Sequence, residues 1–204
     1  MGSPRAVSLL FLVLLLGVSS ALYYPRAVLQ KAQTAQLGAL LSGDSAPPLG
    51  GRSQSDGCVV ADASPDHACT PGAVFPDVPL ARMCMPGYSK TVRSVSEKLR
   101  RAVYAEYGVP YPEPRGSYEV DHLIPLAIGG SNDIANLFPQ PAEPAPGFRE
   151  KDLVEVYLRE EVCAGRAAAL VAQERIADDW LSIYRALPAD TLARLKAEYR
   201  NWSN

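Results

Sequence analysis

The sequence predicts an α+β domain, mostly helical, carried behind an N-terminal signal peptide and a linker. Three observations lead there. Four stretches place apolar residues at helical spacing: Ser94 to Tyr107, Arg149 to Cys163, Ala167 to Tyr184 and Asp190 to Trp202. Between the first two, Tyr118 to Gln140 reads as two short apolar runs around Gly129-Gly130, the pattern of a small strand pair. At the start of the chain, Ala6 to Val18 is almost unbroken apolar sequence behind Arg5, followed by Ser19, Ser20 and Ala21.

Taken in order, residues 1–21 form a charged n-region, an apolar h-region and a small-residue cleavage site, which is a signal peptide. The h-region is short for a membrane span, which needs about 20 apolar residues. An uncleaved N-terminal anchor is the other reading, and no stable membrane insertion is expected once the signal is removed. Both readings place the protein outside the cytoplasm, secreted or extracytoplasmic. Residues 22–42 are read as a weakly amphipathic helix, with Ala27, Val28, Ala32, Ala35, Leu37, Leu40 and Leu41 as its apolar positions. Residues 43–68 are thick with Ser, Asp, Pro and Gly and are expected to be a disordered linker, with His67 solvated in it. The folded domain is then expected over 69–204.

The chain has 204 residues and 48% apolar content, enough for one domain with a true core. Net charge is -2 and the pI is about 5.7. That balance gives no global electrostatic case for nucleic acid, so any phosphate-binding surface has to be local. Lys90, Arg93, Lys98, Arg100 and Arg101, around the start of the first helix, are the local candidate, either as a phosphate-contacting patch or as a solvated face. No protein partner is identifiable.

Four cysteines, Cys58, Cys69, Cys84 and Cys163, in an exported chain suggest two disulfides, for which three connectivities exist. Cys69-Thr70-Pro71-Gly72 and Cys84-Met85-Pro86-Gly87 repeat one turn motif, which favours Cys69 with Cys84 and leaves Cys58 with Cys163. The Cys-x2-Cys spacing of structural zinc is absent. At the other end of the chain, Asn201-Trp202-Ser203 matches an N-glycosylation acceptor.

The chemistry-bearing stretch is the strand pair. Asp121-His122-x-x-Pro125, Gly129-Gly130 and Asn136-Leu137, followed by a helix, have the order of a ββα-metal unit, and the stretch resembles the HNH endonuclease family. Phe138-Pro139-Gln140, Lys151-Asp152, Glu155, Val162-Cys163-x-Gly165 and Asp179-Trp180 extend the resemblance to an exported bacterial branch, over roughly Cys69 to Trp180. The resemblance implies a metal-dependent endonuclease hydrolysing phosphodiester bonds in DNA, with RNA as the alternative to DNA. His122 would be the general base, since its unperturbed pKa of about 6.5 suits proton transfer near neutral pH. Asp121 would hold a divalent metal, Mg²⁺ or Mn²⁺, through hard oxygen atoms. Asn136 would orient the loop and the His. Adjacent strand residues point to opposite faces, so Asp121 and His122 serve one site only if the strand ends or twists there.

One element departs from the family. Its third signature residue, a His or Asn four positions before the lysine, is here Gly147. Glu150 and Asp152 are the nearby carboxylates, and Asp152 is the favoured second metal ligand; both also suit a helix N-terminus for its dipole alone. The departure and the acidic pI leave a second functional class open: a non-catalytic exported module that keeps the scaffold and binds nucleic acid or a surface partner.

Overall fold

The computed structural model describes residue 49 and residues 51–198. The signal peptide, the helix expected over 22–42 and the Asn201 acceptor lie outside the described residues.

The described chain is α+β, with several helices around a small two-stranded sheet. Two short helices, α1 (Leu80–Met83) and α2 (Tyr88–Val92), precede α3 (Glu97–Glu106). The strands β1 (Tyr118–His122) and β2 (Leu137–Pro141) follow, then α4 (Phe148–Cys163), α5 (Ala169–Ala186) and α6 (Ala189–Glu198). No described helix is long and apolar enough to cross a membrane.

Local chemistry sets most boundaries. Ser96 caps α3, its hydroxyl accepting from the Leu99 amide at 3.2 Å. Glu150 reaches back from the first turn of α4 to accept from the Gly147 amide at 2.8 Å, the return half of a capping box. The long helix read over 167–184 is in fact two helices across a kink. Asp179 leaves helical geometry (φ -155°, ψ 88°), and its carboxylate caps the second half by accepting from the Ser182 amide at 3.1 Å.

The strands pair antiparallel, with Asp121 opposite Phe138 and His122 opposite Leu137. The sheet separates two apolar clusters. Val120 and Leu137 pack with Val103 and Tyr104 of α3. Phe138 belongs to the main core, built from Leu123, Ile124 and Ile128 with Val154, Leu158 and Val162 of α4 and Ile176, Trp180 and Ile183 of α5. Fully burying such side chains contributes about 1.5–3 kcal/mol each, so the sheet is held between apolar clusters on both faces.

Two expectations are corrected here. Residues 51–68 are part of the packed domain and not a disordered linker. Ala63 is buried, and its carbonyl accepts from Gln140 Nε2 at 2.9 Å and Trp180 Nε1 at 3.2 Å. Arg52 donates to the Cys69 carbonyl at 2.7 Å and pairs with Glu106. His67 does stay exposed. The disulfides are Cys58–Cys69 and Cys84–Cys163, not the pairing that the repeated turn favours. Gly72 and Gly87 do share a left-handed φ (93° and 78°), so the repeat is a repeat of turn geometry. Each turn sits in its own surroundings, however. The first lies beside the ordered 51–68 segment and so meets Cys58, while Cys84 follows α1 where the last residue of α4, Cys163, arrives. Two disulfides are compatible with an extracellular protein.

Candidate functional site

Asn136 organises the turn after β1. The residue is fully buried, and its carbonyl oxygen Oδ1 accepts from the Ile124 amide at 2.8 Å. Its Nδ2 donates to the carbonyls of Ile124 and Ser131, both at 2.9 Å. Its backbone carbonyl accepts from the Leu123 amide at 2.8 Å. One side chain thus clamps both ends of the 123–131 turn.

Asp121 and His122 leave β1 on opposite sides. Asp121 shares the face of Phe138 and turns toward α4. Its Oδ2 accepts from Lys151 Nζ at 2.7 Å, and its Oδ1 from the His122 amide at 2.8 Å. Lys151 is fully buried; its ammonium also donates to the His122 carbonyl at 2.7 Å and to Glu155 Oε1 at 2.5 Å. Burial alone would lower the Lys151 pKa, but the charges of Asp121 and Glu155 outweigh it and hold the amine protonated. The carboxylate expected to hold a metal therefore already faces a resident cation.

His122 is 1% exposed. Its Nε2 lies 3.2 Å from Asn132 Oδ1, and its Nδ1 is buried with no hydrogen-bond partner. Burial lowers its pKa to about 4 against the opposing charge of Asp121, with Arg93 and Lys151 adding to the fall. Burial thus favours the neutral imidazole, the form a base requires, and at the same time makes it a weaker base than the unperturbed ring.

A cavity of about 630 Å³ lies between α2 and α4, and β1 reaches it through Glu119, not through Asp121 or His122. Glu119, Asp152 and Glu155 line it, and so do Lys90, Arg93 and Arg159. Asp152 is thus in the cavity wall, whereas Glu150 is used by the helix cap. Of the basic cluster around α3, Lys90 and Arg93 reach the cavity. Arg101 instead pairs with Glu97 and lies over the Tyr111 ring. Gly147 supplies nothing and has no room to: a Cβ there would lie 2.5 Å from the carbonyl oxygens of Pro141 and Ala142. Sequence reasoning gave no role to Glu119 and Arg159. Asp152, Glu155 and Arg159 sit at helical i, i+3, i+7 spacing on one face of α4, a pattern that could have found Arg159 but not Glu119, which lies on β1.

Burial and mutual repulsion raise the cavity carboxylates. Glu119 rises from 4.5 to about 7, with burial first and Asp121 and Glu155 next. Asp152 rises from 3.8 to about 9, by burial and then Glu155 and Asp121. Glu155 rises to about 7, chiefly by burial, with Lys151 opposing. Folding raises these pKa values, so stability is greatest below about 4 and is lost as pH rises toward 7 to 9. His122 works the other way, its contribution being lost as pH falls from 6.5 toward 4. Above pH 6.5 the carboxylates act alone. Without divalent metal, the melting temperature of the full chain is expected to fall from pH 6.5 to 9 by on the order of 5 °C. Asp152→Asn should flatten that slope in a calorimetric pH series; a wild-type profile that is flat or rising there would contradict the cavity electrostatics.

A metal at Asp121 does not fit this arrangement, since a divalent cation on Oδ2 has to displace Lys151 or share the oxygen with it. The cavity carboxylates are the hard oxygen donors available to a cation. Among the described residues no three His, Cys, Asp or Glu side chains are arranged to hold one. No family model, curated protein or solved structure matches the chain.

Proposed function

We propose that the chain is an exported HNH-type endonuclease that hydrolyses phosphodiester bonds in DNA, with RNA as the alternative to DNA. The observation that carries this reading is His122. It lies at the end of β1, in a strand–turn–strand–helix unit whose turn Asn136 clamps, and the same strand brings Glu119 to a cavity that presents Lys90, Arg93 and Arg159. The cations suit the phosphate backbone, and a neutral imidazole suits removal of a proton from the attacking water. A divalent ion, where bound, would supply Lewis-acid stabilisation of the phosphoryl oxygens; Asp152, which lines the cavity, would contribute a hard oxygen donor to it in preference to Asp121. Export rests on the apolar leader and the two disulfides.

The test is plasmid nicking by the disulfide-intact full chain with Mg²⁺ or Mn²⁺. Nicking is expected, and His122→Ala should reduce it by about 100-fold or more, the lower part of the range for general acid–base catalysis. Absence of nicking, or nicking that survives the substitution, overturns the reading.

A second reading has its own observation. The ammonium of Lys151 at 2.7 Å from Asp121 Oδ2 neutralises the carboxylate that a nuclease of this type would spend on a metal. This favours a non-catalytic exported module that binds nucleic acid or a surface partner. Titration calorimetry with Mn²⁺ separates the two: a folded chain with no measurable metal binding supports the module.

A further inference from the structure

The hydrogen bonds around Asn132 bear on a question that the position of His122 alone leaves open: which ring nitrogen carries the hydrogen. Asn132 lies in the turn between the strands. Its Nδ2 is 2.8 Å from the Val92 carbonyl, which only accepts, and its Oδ1 is 3.0 Å from the Ser94 amide, which only donates. Those two partners fix the amide orientation from both ends. Oδ1 is therefore the atom that faces His122 Nε2 at 3.2 Å, and an oxygen there requires Nε2 to carry the hydrogen. A neutral imidazole protonated at Nε2 has its lone pair at Nδ1. That is the buried nitrogen with no partner among the described residues.

We propose that Asn132 is a positioning residue that locks His122 in the Nε2–H tautomer, making Nδ1 the proton-accepting atom. The inference rests on the nuclease reading for its catalytic consequence, but the tautomer itself does not depend on activity. Nδ1 is closed to solvent in the structure, so the hydrolytic step requires it to be uncovered; water then gives a proton to Nδ1 as its oxygen bonds to phosphorus. The leaving oxygen departs with the electron pair of the broken P–O bond and takes a proton from solvent, and the imidazolium returns its extra proton to solvent. Throughout, the Nε2–H stays on Asn132. The same amide ties the ring to the backbone on either side of Arg93, through Val92 and Ser94. The base and one phosphate-facing cation of the cavity are thereby held in a fixed relation. Sequence reading passes over Asn132 because an Asn after Gly-Gly-Ser is an ordinary turn residue.

The chain has 2 histidines, so ¹⁵N spectra of the histidine-labelled full chain are simple to assign with a His67→Gln variant. At pH 7 the expected result is a protonated Nε2 and an unprotonated Nδ1 for His122. In Asn132→Ala the two shifts should move toward each other as the tautomers mix. Nicking by that variant should fall on the order of 100-fold in kcat with little change in KM, less than the loss seen when a charged tautomer-setting group is removed from a catalytic His. Asn132→Asp, which keeps an acceptor oxygen, should retain the Nε2–H signature. A protonated Nδ1 in the wild type, or an unchanged tautomer in a folded Asn132→Ala chain, overturns the inference. A correct tautomer with no nicking by the wild type leaves Asn132 as positioned here and instead defeats the nuclease reading.

Discussion

Lys151→Met is expected to destabilise the domain by about 3–5 kcal/mol, the usual cost of removing one partner from a buried ion network. The substitution nearly conserves volume, so packing changes little. What it removes is the one positive charge that touches Asp121, Glu155 and the His122 carbonyl together. Two carboxylates are then left facing each other with no counter-charge, in surroundings that already push Glu119, Asp152 and Glu155 toward the protonated form. At about 2–4 °C per kcal/mol for a domain of this size, the melting temperature should drop by roughly 10 °C or more. Neutralising the partners as well, in Lys151→Met with Asp121→Asn and Glu155→Gln, should recover most of the loss, because a fully uncharged replacement no longer buries unpaired charge. Calorimetry on the three proteins decides the matter. A single variant within about 1 kcal/mol of wild type would show that the ammonium is not the centre of the network.

That network marks where the sequence is legible and where it is not. The helices were readable because their apolar spacing and caps are local: Ser96 before α3 and the Leu153 to Val162 stripe of α4 each announce an element within one or two turns. The turn at Gly129-Gly130 and the placement of Asp121 and His122 at the end of β1 were readable for the same reason. The contacts that decide what the site does are not local. Lys151 meets Asp121 across 30 residues, and the Ala63 carbonyl is capped by Trp180 across 117. A Ser- and Pro-rich segment held by such distant partners and by a disulfide reads as a linker, because nothing in its own composition reports them. One signal was available and unused. Lys151, Val154, Leu158 and Val162 share the buried face of α4, and a lysine on an apolar stripe has to find a buried counter-ion. The break of α5 at Asp179 was equally hard to see, since the apolar spacing continues on both sides of it and only the capping carboxylate marks the kink.

The second large effect concerns the turn that carries the site. Gly130→Ala is expected to cost more than about 4 kcal/mol, in the range reserved for substitutions that break a specific structural requirement. A Cβ at Gly130 would lie 1.8 Å from the Ile124 carbonyl oxygen and 2.9 Å from that of Pro125. Backbone that close has to move. The Ile124 peptide groups cannot move cheaply, however, because Asn136 accepts from the Ile124 amide and donates to its carbonyl. Shifting that carbonyl opens the clamp, and the Asn136 amide groups left unpaired in a buried site cost a further ~1–3 kcal/mol each. Gly129 makes the comparison clean. Its φ of 93° strains any side chain, but the nearest atoms are the ends of the Gln173 and Met83 side chains at 3.0 and 3.1 Å, which need to give by only a few tenths of an ångström, Gln173 while keeping its bond to the Ile128 carbonyl. Gly129→Ala should therefore cost about 1–2 kcal/mol, the usual penalty for left-handed backbone. Denaturant unfolding of the two alanine variants reads the difference directly, and a Gly130→Ala chain no less stable than Gly129→Ala would mean that the Ile124 carbonyl is free to yield. If the clamp is as tight as its four side-chain hydrogen bonds imply, counting the longer one from the Ala73 amide at 3.4 Å, Gly130 fixes the route of the chain out of β1. The orientation of His122 toward Asn132 then depends on the absence of a single methyl group eight residues further along.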